Sequence, residues 1–101
     1  MITQQRWNTL TLAQQLGNIG SELNRAYSWQ QKNDRENRNK SLSRALELID
    51  LSLNDPRWPW RLKEISRLRE VVADWFSDQK VYHVPPASII NYCTSLTLLK
   101  R

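Results

Sequence analysis

Six basic side chains, Arg25, Lys32, Arg35, Arg38, Lys40 and Arg44, fall within twenty residues, opposed there only by Asp34 and Glu36. A guanidinium grips phosphate or carboxylate through paired N–H donors, and an ammonium adds a point charge. Trp29 follows Arg25 by four positions, so on a helix the two share a face, which Asn18 and Glu22 continue. An exposed indole there offers a stacking platform for a nucleobase or a cation–π partner within the protein. The chemistry of this group is the binding of a polyanion. A solvated polar turn, with Trp29 packed under a neighbouring helix, is the structural alternative. A second basic group comprises Arg57, Arg61, Lys63, Arg67 and Arg69. Arg69 falls at the edge of an apolar stripe, where a guanidinium needs a partner, and Glu47 or Asp50 is expected to supply it.

Reaction chemistry is thinly represented. His83 is the only histidine and Cys93 the only cysteine. One chain therefore lacks the ligands for a zinc site of cysteines and histidines. Cys93 sits on an apolar helix face and reads as core. There is no glycine-rich phosphate loop, and no arginine shortly precedes His83, as it does in helical ribonuclease toxins. Glu47, Asp50 and Asp74 leave a carboxylate metal site open, yet they read as partners for arginine. No catalytic residue, metal or cofactor is expected. A hydrolase of unrecognised type is the least favoured reading.

Charge agrees with a binding role without specifying the partner. Net charge is +5, and ten of the fifteen basic residues are arginine. Such a balance suits nucleic acid or a nucleic-acid-bound protein, but also simple solubility. With 101 residues, 40% of them hydrophobic, the chain builds one domain with one core. A monomer should have a radius of gyration of roughly 13 Å. No apolar run approaches the roughly 20 residues of a membrane span. The opening MITQQRW does not read as a signal peptide. A soluble cytoplasmic protein, off the membrane, is expected.

Four amphipathic helices must position these groups. The first runs from about Thr9 to Gln31, with Leu12, Leu16, Ile19, Leu23 and Tyr27 on one face. Gly17 and Gly20 lie beside it and predict a close helix approach. The second runs from about Asp34 to Asn54, with Asn33 and Glu36 at capping-box spacing. Its stripe is Leu42, Ala45, Leu46, Ile49 and Leu53, which places Arg35 and Arg38 at the rim beyond its end. The third follows Pro59 to Ser77, with Leu62, Ile65, Leu68, Val72 and Phe76 inward. Val81 to Val84 favours β structure but is too short for a sheet. The fourth starts at Pro85-Pro86, with Ile89, Cys93 and Leu96 inward and Tyr92 and Leu99 flanking. Helices of this kind with short connections predict an all-α fold, an antiparallel up-down-up-down four-helix bundle. A three-helix core with a loosely docked fourth helix is the alternative. Leu48, Leu51 and Ile90 lie off the stripes, and Trp7, Trp58 and Trp60 fall in or near connections. Leu48, Leu51, Ile90, Trp58 and Trp60 are the expected oligomer interface.

LGNIGSELNRA in the first helix, ALELIDLSLND in the second and RLKEISRLREV in the third resemble the four-helix-bundle accessory variability proteins of diversity-generating retroelements. The resemblance covers most of the chain in pattern, though the chain is short for that family. It implies a homopentameric basic barrel that binds a reverse transcriptase and its template RNA and supports cDNA synthesis without catalysing it. By charge and helix position, Arg25, Lys32, Arg35, Arg38, Lys40 and Arg44 would make the RNA contacts. Rival readings are a protein-only scaffold or adaptor, and the small helical subunit of an RNA-guided interference complex.

Overall fold

A computed structural model describes residues 2–77 and 84–98 and is all-helical across them. The helices are α1 (Gln4–Trp7), α2 (Leu12–Gln31), α3 (Arg35–Leu53), α4 (Leu62–Ser77) and α5 (Pro86–Leu98), with a 3-10 turn at Pro59–Arg61 leading into α4. Val81, Tyr82, His83, Leu99, Lys100 and Arg101 lie outside the described residues.

The first predicted helix starts three residues later than expected, at Leu12, and a short helix that the sequence does not predict precedes it. A capping box starts α2, in which Gln14 N–H donates to Thr11 Oγ1 (3.1 Å) and Thr11 N–H to Gln14 Oε1 (2.8 Å). The short helix α1 before it is itself capped by Thr3. Between α2 and α3 the sequence expectation is off by one residue. Asn33 is not the cap of α3 but the left-handed residue that ends α2, with φ of 59°. Asn33 N–H donates to Gln30 O (3.0 Å) and Asp34 N–H to Trp29 O (2.9 Å), the paired bonds of a Schellman motif. Asp34 then caps α3, accepting from Asn37 N–H at 3.0 Å. Bonds from the Asn37 backbone and side chain hold its carboxyl below the usual range. One helix thus stops and the next starts within three residues.

Helix α2 packs on α3 and α5, α3 on α4, and α4 on α5, a neighbour pattern consistent with a bundle. The radius of gyration is 13.0 Å, as expected for this length. Leu16, Ile19 and Leu23 of α2 meet Leu42 and Ile49 of α3, Ile65, Leu68 and Val72 of α4, and Ile89, Cys93 and Leu96 of α5 in one core. Each such side chain contributes about 1.5–3 kcal/mol by leaving water. Helix α4 is rotated from its predicted stripe. Val71 and Trp75 are buried, while Leu62 and Phe76 are exposed. Trp75 Nε1–H donates to Gln30 Oε1 at 2.7 Å, which turns that edge of α4 toward α2.

One further expectation changes. Gly17 faces open space, and a Cβ on Gly20 would meet only Cys93 Sγ at 3.8 Å, so neither glycine marks a tight crossing. Leu48, Leu51, Ile90 and Trp58 are half-buried and packed against the core. Helix α1 packs on α3, and Gln4 Nε2–H donates to Leu51 O at 2.8 Å. Helix α1 thus covers part of the α3 surface beside Leu51, one of the five residues expected at an oligomer interface. Among those five, Trp60 alone is exposed.

A buried polar network fastens this end. Trp7 Nε1–H donates to Ser52 Oγ (3.0 Å), and Ser52 Oγ–H to Gln15 Oε1 (2.8 Å). Trp58 Nε1–H reaches the same oxygen at 3.0 Å. Gln15 Nε2–H donates to Trp7 O (3.0 Å) and to Asp55 Oδ2 (2.9 Å). Burial disfavours the charged form of Asp55, but bonds from the Arg57 side chain and backbone and from Gln15 outweigh it and take its pKa down to about 2. Satisfied networks of this kind fix a unique arrangement, because each unmet group would cost its full desolvation.

Candidate nucleic-acid interface

Antiparallel packing of α2 on α3 gathers most of the basic group on one face. Glu22 is at its centre. Arg25, one turn further along α2, brings Nη1 within 3.2 Å of Glu22 Oε1. Arg44 of α3 donates from Nε to Glu22 Oε2 at 3.1 Å and from Nη2 to Ser41 Oγ at 3.2 Å. The Glu22 side chain is only 13% exposed, while Arg25 and Arg44 keep 60% and 50%. One sunken carboxylate therefore holds two guanidiniums upright at the surface. Lys40 pairs with Glu36 across one turn at 3.6 Å and is also mostly exposed.

Nearer the turn, Lys32 Nζ lies 5.1 Å from the centre of the Trp29 ring, a cation–π pair. Trp29 is half-buried, with Lys32 and Arg35 exposed around it. Arg38 departs from its expected place at the rim and is 6% exposed. Its Nε and Nη2 donate to Asn39 Oδ1 at 3.1 and 2.8 Å, and Nη1 to Gln30 Oε1 at 3.3 Å. Because Gln30 also receives Trp75, Arg38 helps tie α2, α3 and α4 together at this end. The exposed basic set is thus Arg25, Lys32, Arg35, Lys40 and Arg44, interspersed with Glu22, Asp34 and Glu36. It stays positive overall.

Toward the α1 end the face opens into a groove of about 260 Å³, lined by Ile2, Trp7, Asn18, Ser21, Glu22, Arg25 and Leu48. Ile2 and Leu48 give it an apolar wall, with Trp7 beneath, and Glu22 and Arg25 a charged one. Glu22 Oε1 is shut off from solvent and receives no hydrogen bond of proper geometry, despite the nearby Arg25.

Three members of the second basic group, Arg57, Arg61 and Arg69, are engaged within the chain, while Lys63 and Arg67 are exposed. Arg57 stacks on Trp58 with 4.4 Å to the ring centre, and Arg61 on Trp60 with 4.6 Å. Arg69 donates to both oxygens of Asp50, at 2.6 and 3.3 Å, as its stripe-edge position requires. Cys93 is buried against Leu16 O at 3.4 Å, and burial pushes its thiol up to about 12, which removes it as a nucleophile at neutral pH. No cluster of three or more metal-ligating side chains occurs among the described residues. No helix among them is long and apolar enough to cross a membrane.

Comparison of the chain with family models, with curated proteins and with solved structures finds no match. The face therefore has to be read from its own chemistry. The sequence signals Arg25 and Trp29 by their spacing. It does not signal the groove, because Glu22 meets Arg44 across 22 positions and Trp7 belongs to a helix of only four residues.

Proposed function

We propose that the chain is a non-catalytic helical accessory module that binds single-stranded nucleic acid, RNA in preference to DNA, on the α2–α3 face. The observation that carries this reading is the arrangement around Glu22. Two exposed arginines are held upright there by one sunken carboxylate, on a face that stays net positive and carries an indole at its edge. The Lys40–Glu36 pair is exposed on both sides and contributes little, so exchanging it for phosphate costs little. The neighbour pattern of α2 to α5 supports an up-down-up-down four-helix bundle as the scaffold. The resemblance to retroelement accessory variability proteins extends the proposal to a cytoplasmic homopentamer with a reverse transcriptase as protein partner.

Titration of a labelled single-stranded RNA at several salt concentrations tests the reading. With Arg38 buried, about five phosphates are contacted instead of six, and log K should fall with log salt at a slope near −3.5. Replacing Lys32, Arg35 and Lys40 together by glutamine should flatten that slope by about 2. Binding that ignores salt, or an unchanged slope in the triple variant, overturns the proposal. A protein-only adaptor is the competing reading, favoured by the exposed Trp60, Leu62 and Phe76. It predicts no RNA binding and capture of a protein partner lost on replacing Phe76.

A further inference from the structure

The groove beside Glu22 is lined by chemistry that phosphate contacts alone do not use. Glu22 Oε2 is occupied by Arg44, whereas Oε1 is an acceptor with no hydrogen bond. A cationic ligand is disfavoured because Arg25 and Arg44 already flank the carboxylate, and an anionic one is disfavoured by Glu22 itself. A neutral ring carrying a hydrogen-bond donor fits both the acceptor and the apolar wall of Ile2 and Leu48, with Trp7 beneath. At about 260 Å³ the groove is smaller than the roughly 300–1,000 Å³ of sites for drug-sized ligands. That size suits a single ring.

We propose that this groove holds one unstacked cytosine of a bound single strand, its exocyclic N4 amine donating to Glu22 Oε1. This rests on the nucleic-acid reading above and specifies which base the face selects. Carboxylate side chains accept from cytosine N4, and single-stranded RNA is read on the Watson–Crick edges of splayed bases. Uracil places its O4 acceptor where the amine would stand, which sets two acceptors against each other. Arg25 acts as the latch. It covers Oε1 in the free protein, is 60% exposed, and swings to the flanking phosphate as the base enters. Asn18, exposed on the same face of α2, offers an amide to the remaining edge of the ring.

An oligocytidine and an oligouridine of equal length, compared by fluorescence anisotropy at neutral pH, provide the test. The two carry the same charge, so their salt slopes should agree while cytidine binds about five- to hundredfold more tightly. Glu22→Gln should abolish or reverse the preference, since an amide can donate to uracil O4. Asn18→Trp, which fills the groove from an exposed position, should abolish the preference and leave the salt slope unchanged. Far-UV circular dichroism confirms that both variants fold. Equal binding of both oligomers by the wild type, with a normal salt slope, overturns the cytosine site and leaves the basic face standing. So does a preference that survives in both variants. Failure to bind either oligomer overturns the nucleic-acid reading, and the groove proposal with it.

Discussion

Substituting Asp55 by asparagine should cost the protein a large part of its stability, and the cost should depend on pH in a defined way. The Asp55 carboxyl is shielded from solvent and receives Arg57 Nη2–H at 2.7 Å, Arg57 N–H at 3.0 Å and Gln15 Nε2–H at 2.9 Å. Its pKa moves from 3.8 to about 2. At 1.36 kcal/mol per pKa unit the shift corresponds to about 2.4 kcal/mol. Arg57 is 40% exposed, and screening of its charge reduces the usable part to about 1–2 kcal/mol. Because the folded pKa lies below the unfolded one, this contribution is complete above about pH 4 and drains away as pH falls toward 2. Urea unfolding followed by tryptophan fluorescence reads it directly. With a slope of about 1–3 kcal/mol per molar urea, Asp55→Asn should lower the midpoint by roughly 0.5–2 M at neutral pH. The gap between wild type and variant should close as pH approaches 2. A variant that unfolds with the wild-type midpoint at pH 7, or a gap that stays constant down to pH 2, refutes the network as described.

Three other outcomes follow from the packing. Gly17→Ala adds a Cβ into open space within α2 and should stabilise by about 0.5–1 kcal/mol, seen as a higher thermal midpoint; a lower midpoint would mean that another chain approaches there. Cys93 should resist an aromatic disulfide reagent in the native protein and react fully in urea, because its thiol is buried and raised to about 12; rapid native labelling would contradict its placement. Trp7→Ala should cost about 3–5 kcal/mol by calorimetry, since Trp7 is 1% exposed and bonded to Ser52; a small loss would show that α1 is not docked.

Helix α5 was legible because Ile89, Cys93 and Leu96 repeat at helical spacing, and all three are buried. In α4 the same periodicity misplaced the centre of the stripe. Phe76 and Trp75 are adjacent, and hydrophobicity alone does not choose between them. The choice falls to the hydrogen bond from Trp75 to Gln30, 45 positions away. Helix α1 was illegible for a related reason: four residues are too few to show a period, and its one buried side chain is held by partners near residue 52. Asn33 and Asp34 are both good cap formers, and only the left-handed backbone at Asn33 decides which one ends α2. In the candidate interface, spacing places Arg25 and Trp29 on one face of α2 but not their partners, which are Glu22 for Arg25 and Lys32 for the Trp29 ring. The burial of Arg38 could not be read from spacing, because Gln30 of α2 reaches its guanidinium only once α2 and α3 are packed.

Glu22 gives the interface a property that a merely basic surface lacks. Its side chain is mostly buried, so its charge needs compensation, whereas Arg25 and Arg44 are half or more exposed and lose little on moving. A phosphate that draws Arg25 away strips the cation from Glu22 Oε1 and raises the demand for another donor there. A base amine entering the groove meets that demand. Contact with the backbone of a strand and recognition of its base are therefore coupled through one carboxylate, and each should strengthen the other. Glu22→Gln removes the charge and with it the coupling, so Arg25→Gln should weaken cytidine and uridine oligomers about equally in that background. In the wild-type background it should weaken cytidine binding by the smaller factor, because removing the guanidinium also frees Glu22 Oε1 for the base amine.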